Sequence, residues 1–240
     1  MPAPRSYNVA PALGVGVAVA AVVGTVVSSA SDLSGMYALR ATMTCIVFLA
    51  AVARAAGHEH PFPCFGAANV VTTARAVLTT LVAGLVGIGD LGPFLWPSIV
   101  VVGCVAALDG VDGWLARRGR MDSGFGARFD METDALLILV LSVLVWQNGK
   151  AGVWVLLCGG MRYLFVAAGW ALPWLAGRLR STRRGKTVAV AQFAGLGVAL
   201  MPVVAPSVCT WVAGVTLAAL TWSFAVDVLW LRREASALEP

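Results

Sequence analysis

Residues 93–108 have the sequence PFLWPSIVVVGCVAAL, in which no side chain carries a charge. Charged residues follow at once in DGVDGWLARRGR, residues 109–120. About 20 apolar residues in a helix cross the hydrocarbon core of a bilayer. The stretch at 93–114 therefore predicts a transmembrane helix that carries Asp109 and Asp112 at its polar end.

The composition of the whole chain agrees with a membrane location. Its 240 residues are 59% hydrophobic and 12% charged, and the mean hydropathy is +0.84. Soluble domains are about 45–50% apolar and about 25% charged. So many apolar side chains cannot be enclosed by one water-facing surface. The composition excludes a soluble globular domain, a disordered chain and a small disulfide-linked scaffold.

Eight apolar stretches are long enough to cross a bilayer, and short polar or Gly/Pro-containing segments separate them. They cover residues 9–30, 35–56, 67–89, 93–114, 130–147, 151–174, 187–205 and 208–231. In hydrocarbon every backbone polar group needs an internal partner, so each span is a helix or a barrel strand. The runs are too continuous for barrel strands, which alternate in hydropathy. The sequence predicts an all-α integral membrane protein with about eight transmembrane helices.

Lysine and arginine are distributed asymmetrically between the predicted spans. With the N-terminus in the cytoplasm, Lys150 falls outside, and the residues that fall inside are Arg5, Arg54, Arg117, Arg118, Arg120, Arg128, Arg178, Arg180, Arg183, Arg184, Lys186, Arg232 and Arg233. Cytoplasmic loops carry the excess of basic residues, so we expect a multi-pass protein of the cell (inner) membrane with both termini in the cytoplasm. Topology and anionic headgroups then explain the net charge of +5, and no nucleic-acid partner is predicted.

Three local features have simple interpretations. The first apolar run follows Arg5 and superficially resembles a signal peptide, but its length favours a retained helix. The five cysteines are spread along the chain without a CxxC pair, so we expect small packing residues and no disulfide framework. The loop His58–Cys64 is expected to be a polar turn, with a metal site as the weaker alternative.

Acidic residues concentrate between the fourth and fifth predicted spans. Asp109 and Asp112 are three residues apart and Asp130 and Asp134 are four apart, so each pair lies on one helical face. Carboxylates at the end of a span are costly unless they are paired, solvated or bound to a metal. Three alternatives follow: ion pairs with nearby arginines, a proton or cation relay in a transporter, or a site for hard cations such as Mg²⁺ or Mn²⁺.

The residues around these aspartates distinguish the alternatives. Residues 109–134 contain the pattern D-x-x-D-G-x-x-A-R-x8-G-x3-D-x3-D, which resembles the signature of the CDP-alcohol phosphatidyltransferase family. The resemblance implies two Mg²⁺ or Mn²⁺ ions with these ligands: Asp109, Asp112, Asp130 and Asp134. It also implies that Asp134 acts as the general base on the acceptor hydroxyl. Paired ions suit phosphoryl transfer because they stabilise both the attacking and the leaving oxygen.

Small and basic residues near the signature are candidates for contact with a nucleotide. A guanidinium at Arg117 can bind a diphosphate in a forked geometry. The motif N-x-x-T-x-x-R at 69–75 is similar to one that opens the core in many family members, and its polar residues share one helical face. An alternative is that Arg75 snorkels and Thr72 bonds its own helix. The predicted nucleotide-binding residues are Asn69, Thr72, Arg75, Gly113, Ala116, Arg117 and Gly126.

Basic residues in the second half of the chain are candidates for binding the acceptor alcohol. Arg162 lies deep in the sixth predicted span, where it either binds an acceptor phosphate or pairs with Asp227. The run at 183–187, followed by Gln192, partly resembles a motif of glycerophosphate-using family members, and it also fits an ordinary positive-inside loop. The predicted acceptor-binding residues, which favour a phosphorylated alcohol such as glycerol 3-phosphate, are Arg162, Arg183, Arg184 and Lys186.

The resemblance also implies a domain organisation and a reaction. A six-helix catalytic core at 65–233 follows two added transmembrane helices at 1–64 and precedes a short cytoplasmic tail at 234–240. The implied reaction transfers a phosphatidyl group from a CDP-diacylglycerol-type lipid to a small alcohol on the cytoplasmic side and releases CMP. The alternatives are headgroup transfer from a CDP-alcohol to a lipid hydroxyl, and a transporter. Small residues at helical spacing allow either close helix packing or a homodimer.

Overall fold

The structure is a computed structural model that describes residues 9–31, 33–56, 65–119, 123–176 and 182–238. Within these ranges the chain forms eight α-helices: α1 (Val9–Ala30), α2 (Gly35–Ala56), α3 (Ala67–Ala83), α4 (Gly92–Gly119), α5 (Gly124–Gln147), α6 (Leu156–Ala171), α7 (Arg183–Leu200) and α8 (Pro206–Leu238). Short 3₁₀ segments at Val153–Val155 and Pro173–Ala176 flank α6. The sequence-predicted turn at His58–Cys64 lies outside the described residues.

Each predicted span coincides with a helix, which confirms the all-α membrane architecture. In the described ranges, five helical segments are both long and apolar enough to cross a bilayer, namely α1, α2, α4, α6 with its preceding 3₁₀ turn, and α8. The helix α3 is shorter, α5 carries charged residues between Arg128 and Asp134, and α7 begins with Arg183 and Arg184. The chain is therefore a multi-pass membrane protein.

The ends of several helices differ from the predicted limits. The prediction placed the end of the third span at residue 89, whereas α3 ends at Ala83 and turns follow. Gly87 has a φ of 82°, a left-handed conformation that glycine adopts readily and that ends the helical path. In contrast, α4 and α5 extend beyond their predicted spans, to Gly119 and from Gly124. The aspartates of the signature consequently lie within regular helix.

The part of the chain that ends at Asp134 forms a first compact unit, which contains α1 to α4 and the beginning of α5. Its core includes Leu13 of α1, Val77 of α3 and two phenylalanines of α5, Phe125 and Phe129. The rings of Phe125 and Phe129 are 5.8 Å apart between centroids, and Phe48 of α2 lies 6.3 Å from Phe129. This aromatic packing anchors the first turns of α5 on the N-terminal helices.

The helices α1 and α2 both pack against α3. A Cβ atom on residue 16 of α1 would lie 2.9 Å from Cγ2 of Thr73, so glycine at this position lets the two helices approach closely. The Arg40 side chain of α2 donates a hydrogen bond of 2.7 Å to the carbonyl oxygen of Val86, just beyond the end of α3. These contacts fix α3 at its middle and near its C-terminal end.

Residues from Ala135 onward form a second compact unit with the rest of α5 and with α6, α7 and α8. Gly159 of α6 lies directly against the backbone of Leu139, where a Cβ atom would overlap. The Lys150 ammonium donates a hydrogen bond of 2.6 Å to the carbonyl oxygen of Val204, which ties the loop after α5 to the loop before α8. The rings of Phe165 and Phe224, 5.5 Å apart, join α6 to α8.

The cysteines in the described ranges are free thiols. Cys45, Cys158 and Cys209 are buried, and Cys104 is exposed. The thiol of Cys209 donates to the carbonyl oxygen of Ala199 over 3.2 Å, so it serves as a small packing residue with a weak hydrogen bond.

We predict that Gly16→Val lowers the free energy of unfolding of the first unit by about 1–3 kcal/mol, because the added methyl groups overpack the α1–α3 contact. Gly14 lies on the same helix and has no neighbouring atom within 4 Å of its Cβ position, so Gly14→Val is the matched control with little effect. Denaturant or thermal unfolding in detergent micelles measures both variants.

A compensating substitution tests the same contact more closely. Thr73→Ser removes Cγ2 but keeps the hydroxyl that donates to the carbonyl oxygen of Asn69 at 2.8 Å. Added to Gly16→Val, it is expected to restore part of the lost stability. Equal losses in the two glycine variants, or no recovery in the double variant, would contradict the close approach of α1 and α3.

Candidate active site

The site is built from the ends of α4 and α5, with α3 beside them. The helix α4 carries Asp109 and Asp112, and α5 carries Asp130 and Asp134 one turn apart. Oxygen atoms of Asp109, Asp112 and Asp130 all lie within 4.8 Å of one another. The structure therefore brings together the two carboxylate pairs, as their spacing in the sequence predicts.

A serine that sequence analysis overlooked sets the beginning of α5. Ser123 precedes the helix, and its hydroxyl oxygen accepts a hydrogen bond of 3.0 Å from the backbone N–H of Gly126. A serine in this position is a common N-cap because it satisfies an amide that has no partner within the helix. The cap explains why α5 begins before the predicted span, and it was detectable as a serine just ahead of a helical segment.

Arg75 of α3 provides the cation at the centre of the carboxylates. Its Nη1 donates to Oδ2 of Asp112 at 2.6 Å and to Oδ1 of Asp130. Its Nη2 forms an ion pair with Oδ1 of Asp109 at 2.7 Å and donates to Oδ1 of Asp134 at 2.5 Å. Each terminal nitrogen thus joins one carboxylate of α4 to one of α5. The structure thus places Arg75 in contact with the aspartates, and its contact with a nucleotide stays a prediction.

The four carboxylates differ in their access to solvent. The Asp112 side chain is 6% exposed, whereas those of Asp109 and Asp130 are 33% and 42% exposed. Asp112 also accepts a hydrogen bond of 3.1 Å from the hydroxyl of Thr72. Because buried carboxylates need several donors, Thr72 and Arg75 together account for the burial of Asp112. The more exposed carboxylates line the open side of the cluster.

The remaining predicted residues of α3 and α5 are in contact with each other. A Cβ atom on residue 126 would lie 3.1 Å from Oδ1 of Asn69, so Gly126 allows the first turn of α5 to approach α3. The amide nitrogen of Asn69 donates to the carbonyl oxygen of Phe65 at 2.5 Å. In this arrangement Asn69 supports the helix contact at the edge of the carboxylate cluster.

The C-terminal turns of α4 are described in part. Gly113 is half-buried, one residue beyond Asp112. The guanidinium of Arg118 lies 5.0 Å from the ring centroid of Trp114, a cation–π contact on the exposed side of the helix. The side chains of Ala116 and Arg117, both predicted to contact the nucleotide, lie outside the described residues.

The predicted acceptor-binding residues belong to the second unit. Arg184 of α7 pairs with Asp227 of α8, and its Nε lies 3.3 Å from the hydroxyl of Ser223. Asp227, considered from the sequence as a partner for Arg162, forms an ion pair with Arg184 in the structure. Arg162 is half-buried on α6 and Lys186 is exposed on α7, whereas the side chain of Arg183 lies outside the described residues.

Gln192, noted in the sequence only as part of a motif, is fully buried in the second unit. Among the described residues, neither the nitrogen nor the oxygen of its amide has a hydrogen-bond partner. A polar amide in an apolar helix contact is costly unless it is paired. No pattern in the sequence distinguishes this burial from an exposed position on α7.

The donor set of the first unit fits hard divalent cations. Four carboxylates converge, and the group of possible ligands found among the described residues contains neither histidine nor cysteine. Oxygen donors of this kind select Mg²⁺ or Mn²⁺ over softer metals. The Arg75 guanidinium already bridges the carboxylates, so the space between α4 and α5 accommodates a cation.

The fold and site together define a membrane-embedded protein with a carboxylate cluster at the ends of two consecutive helices. The family model described as CDP-alcohol phosphatidyltransferase matches residues 65–226, which is more than half of the chain. The chain therefore belongs to the CDP-alcohol phosphatidyltransferase family. Enzymes of this family act on a CDP-linked donor and an alcohol acceptor within a membrane and in general depend on divalent cations.

A curated relative covers a smaller region. The CDP-diacylglycerol--glycerol-3-phosphate 3-phosphatidyltransferase of Salmonella choleraesuis (strain SC-B67) is 35% identical over 83 residues, which are 33% of this chain and 45% of that protein. This chain thus matches less than half the length of that relative. No solved structure matches the chain.

We predict that Thr72→Val lowers the free energy of unfolding by about 1.5–3 kcal/mol, because a hydrogen bond to a buried charged group is lost. Thr73→Val is the matched control, since Thr73 bonds only the carbonyl oxygen of Asn69 within its own helix. Its cost is expected to be below about 1 kcal/mol. Unfolding curves measured side by side check the difference, and equal costs would show that the contact with Asp112 contributes nothing.

Proposed function

We propose that this protein transfers a phosphatidyl group from a CDP-diacylglycerol-type lipid to a small alcohol and releases CMP. The observation that carries the proposal is the convergence of the four signature carboxylates around one cation at the ends of α4 and α5. Membership in the family supports the reaction class. The relative from Salmonella choleraesuis is named for CDP-diacylglycerol, which supports this lipid as the donor.

In this proposal Asp109, Asp112, Asp130 and Asp134 hold two Mg²⁺ or Mn²⁺ ions. When bound, the ions supply positive charge that neutralises the donor diphosphate and the leaving CMP. Asp134 is only partly buried, with 23% of its side chain exposed, so an acceptor hydroxyl can reach its carboxylate. Asp134 accepts the hydroxyl proton as the acceptor oxygen bonds to the lipid-proximal phosphorus and the bond from that phosphorus to CMP breaks.

The nucleotide is proposed to lie along the polar ends of α3, α4 and α5. Gly113, one residue beyond Asp112 on α4, has no side chain, which leaves room for a nucleotide, and the sequence spacing of Ala116 from Asp112 suggests the same for its small side chain. The residues proposed to contact it are Asn69, Thr72, Arg75, Gly113, Ala116, Arg117 and Gly126. Thr72 supports this assignment because its hydroxyl donates to Asp112, and Asn69 supports it because its amide oxygen lies beside Gly126.

The organisation of the chain in the membrane is also proposed. Residues 65–233 form the catalytic core, residues 1–64 are an N-terminal addition, and residues 234–240 are a cytoplasmic tail. The placement of lysine and arginine supports an inner-membrane protein with its termini and active site in the cytoplasm. Small residues on the faces of the helices are compatible with a homodimer.

The acceptor is proposed to carry its own phosphate, with glycerol 3-phosphate as the first candidate. Arg162, Arg183, Arg184 and Lys186 supply positive charge beyond what the donor requires. Charge-assisted hydrogen bonds from such residues suit a phosphate. The curated relative is named for transfer to glycerol 3-phosphate, which supports the same acceptor class. Asp227 orients Arg184 in this assignment and neutralises part of its charge.

We predict that Asp112→Asn lowers the rate of CMP release from CDP-diacylglycerol roughly a hundredfold or more, because the substitution keeps the volume but removes a charged metal ligand. Asp90→Asn is the matched control, since Asp90 is exposed and accepts a hydrogen bond only from the backbone of Gly92 within its own turn. The assay uses purified protein, Mg²⁺ or Mn²⁺, and a panel of alcohols.

Three results would each contradict part of this proposal. Near-normal turnover by Asp112→Asn across a Mg²⁺ titration would exclude the metal assignment. If CDP-diacylglycerol releases no CMP with any alcohol while CDP-choline reacts with diacylglycerol, the donor is the CDP-alcohol and the acceptor is the lipid hydroxyl. Ion flux through liposomes without either substrate would favour a transporter.

We predict that Arg162→Gln raises the KM for glycerol 3-phosphate at least about tenfold and leaves the KM for CDP-diacylglycerol unchanged, because one charge-assisted contact to the acceptor phosphate is lost. Arg233→Gln, at an exposed position near the end of α8, is the control for loss of one positive charge. Reaction of an unphosphorylated alcohol in place of glycerol 3-phosphate, with no effect of Arg162→Gln, would show that the acceptor class is wrong.

A further inference from the structure

The negative charges of the aspartates around Arg75 outnumber its single positive charge. Four carboxylates converge on one guanidinium, whose side chain is 1% exposed. Without a cation, four carboxylates at this distance repel one another, because like charges a few ångströms apart raise the electrostatic energy, most of all at the buried Asp112. Arg75 is therefore the group that allows α4 and α5 to bring their aspartates together, and it leaves a net negative charge that attracts further cations.

The Arg75 guanidinium lies between α4 and α5 and connects their aspartates. Nη1 lies between Asp112 and Asp130, and Nη2 lies between Asp109 and Asp134. A pair of divalent ions about 3.5–4 Å apart would make the same kind of connections between carboxylates. Because Mg²⁺ requires oxygen ligands at about 2.0–2.1 Å, ions and guanidinium compete for the same oxygens.

The polar contacts of the Arg75 guanidinium allow it to move away from the aspartates. The hydrogen bonds of Arg75 run from its two terminal nitrogens to the aspartates, and the buried Nε has no acceptor in the described residues. Among the described residues, withdrawal of the guanidinium therefore breaks polar contacts with the aspartates alone. Thr72 continues to donate to Asp112, so part of the arrangement persists when Arg75 moves.

We propose that Arg75 is a positioning residue that acts as an internal counter-cation. It holds the four aspartates in place before metal ions bind and withdraws from them when divalent cations take its place. The freed guanidinium is then available to the donor diphosphate, which reconciles the contact seen here with the nucleotide role expected from its motif. This inference rests on the proposed metal site.

The test compares Mn²⁺ binding by the full-length wild type and by Arg75→Met, both in detergent. Electron paramagnetic resonance of free Mn²⁺ measures the binding. Competition by Arg75 lowers the apparent affinity, so Arg75→Met is expected to bind Mn²⁺ at least about tenfold more tightly. Arg128→Met removes an exposed arginine two residues before Asp130 and is the control for general electrostatics. Its affinity is expected to stay within about twofold of the wild type.

A stability measurement provides a second readout that does not depend on turnover. Without metal, Arg75→Met is expected to unfold at a lower temperature than the wild type, since the carboxylates have lost their counter-cation. Saturating Mn²⁺ is expected to raise its unfolding temperature by more than it raises that of the wild type. Equal shifts in the two proteins would overturn the proposal.

Arg75→Lys keeps the test usable if the methionine variant does not fold. A lysine retains the charge, but its single ammonium cannot join both pairs of aspartates as the two guanidinium nitrogens do. Its Mn²⁺ affinity is therefore expected to lie above that of the wild type.

The outcomes separate the two proposals. Binding by folded Arg75→Met or Arg75→Lys that equals or falls below wild-type binding would show that Arg75 is a permanent structural support, while the metal site stands. Absence of Mn²⁺ binding in every protein would overturn the proposed metal site and this inference together.

Discussion

The ion pairs between one buried guanidinium and four carboxylates are the interaction on which the first unit depends. Arg75 bonds two aspartates of α4 and two of α5. Each helix end would repel the other without a cation between them. The same concentration of negative charge that makes the site costly makes it suitable for divalent cations and a nucleoside diphosphate. Stability and proposed catalysis therefore rest on the same side chains.

The Arg75 guanidinium can contact all four carboxylates only if α3 is held in a fixed position beside α4 and α5. The helix α3 has 17 residues, too short for a typical span, and it gains support from its neighbours. Gly16 of α1 permits close contact with Thr73, and Arg40 of α2 bonds the carbonyl oxygen of Val86. The family match begins at residue 65, so α1 and α2 lie outside it and yet contact the helix that carries Arg75.

Much of this arrangement could be predicted from the sequence because it depends on simple periodicities. The lengths of the apolar stretches predicted the eight helices, and spacings of three and four residues predicted that the aspartates of each pair share one helical face. The contact of Arg75 with the aspartates was not predicted, because the polar face of α3 is equally suited to bind a nucleotide and to contact carboxylates. The pairing of Arg184 with Asp227 depends on how α7 and α8 are rotated against each other, which neither helix encodes alone.

A structure determined with CDP-diacylglycerol and Mn²⁺, using the anomalous signal of manganese, tests the central claim most directly. The account predicts two Mn²⁺ peaks about 3.5–4 Å apart between the aspartates of α4 and α5, with the diphosphate beside them and Arg75 withdrawn from the carboxylates. A bound donor with the Arg75 guanidinium still between Asp109, Asp112, Asp130 and Asp134, and no manganese at these residues, would contradict it.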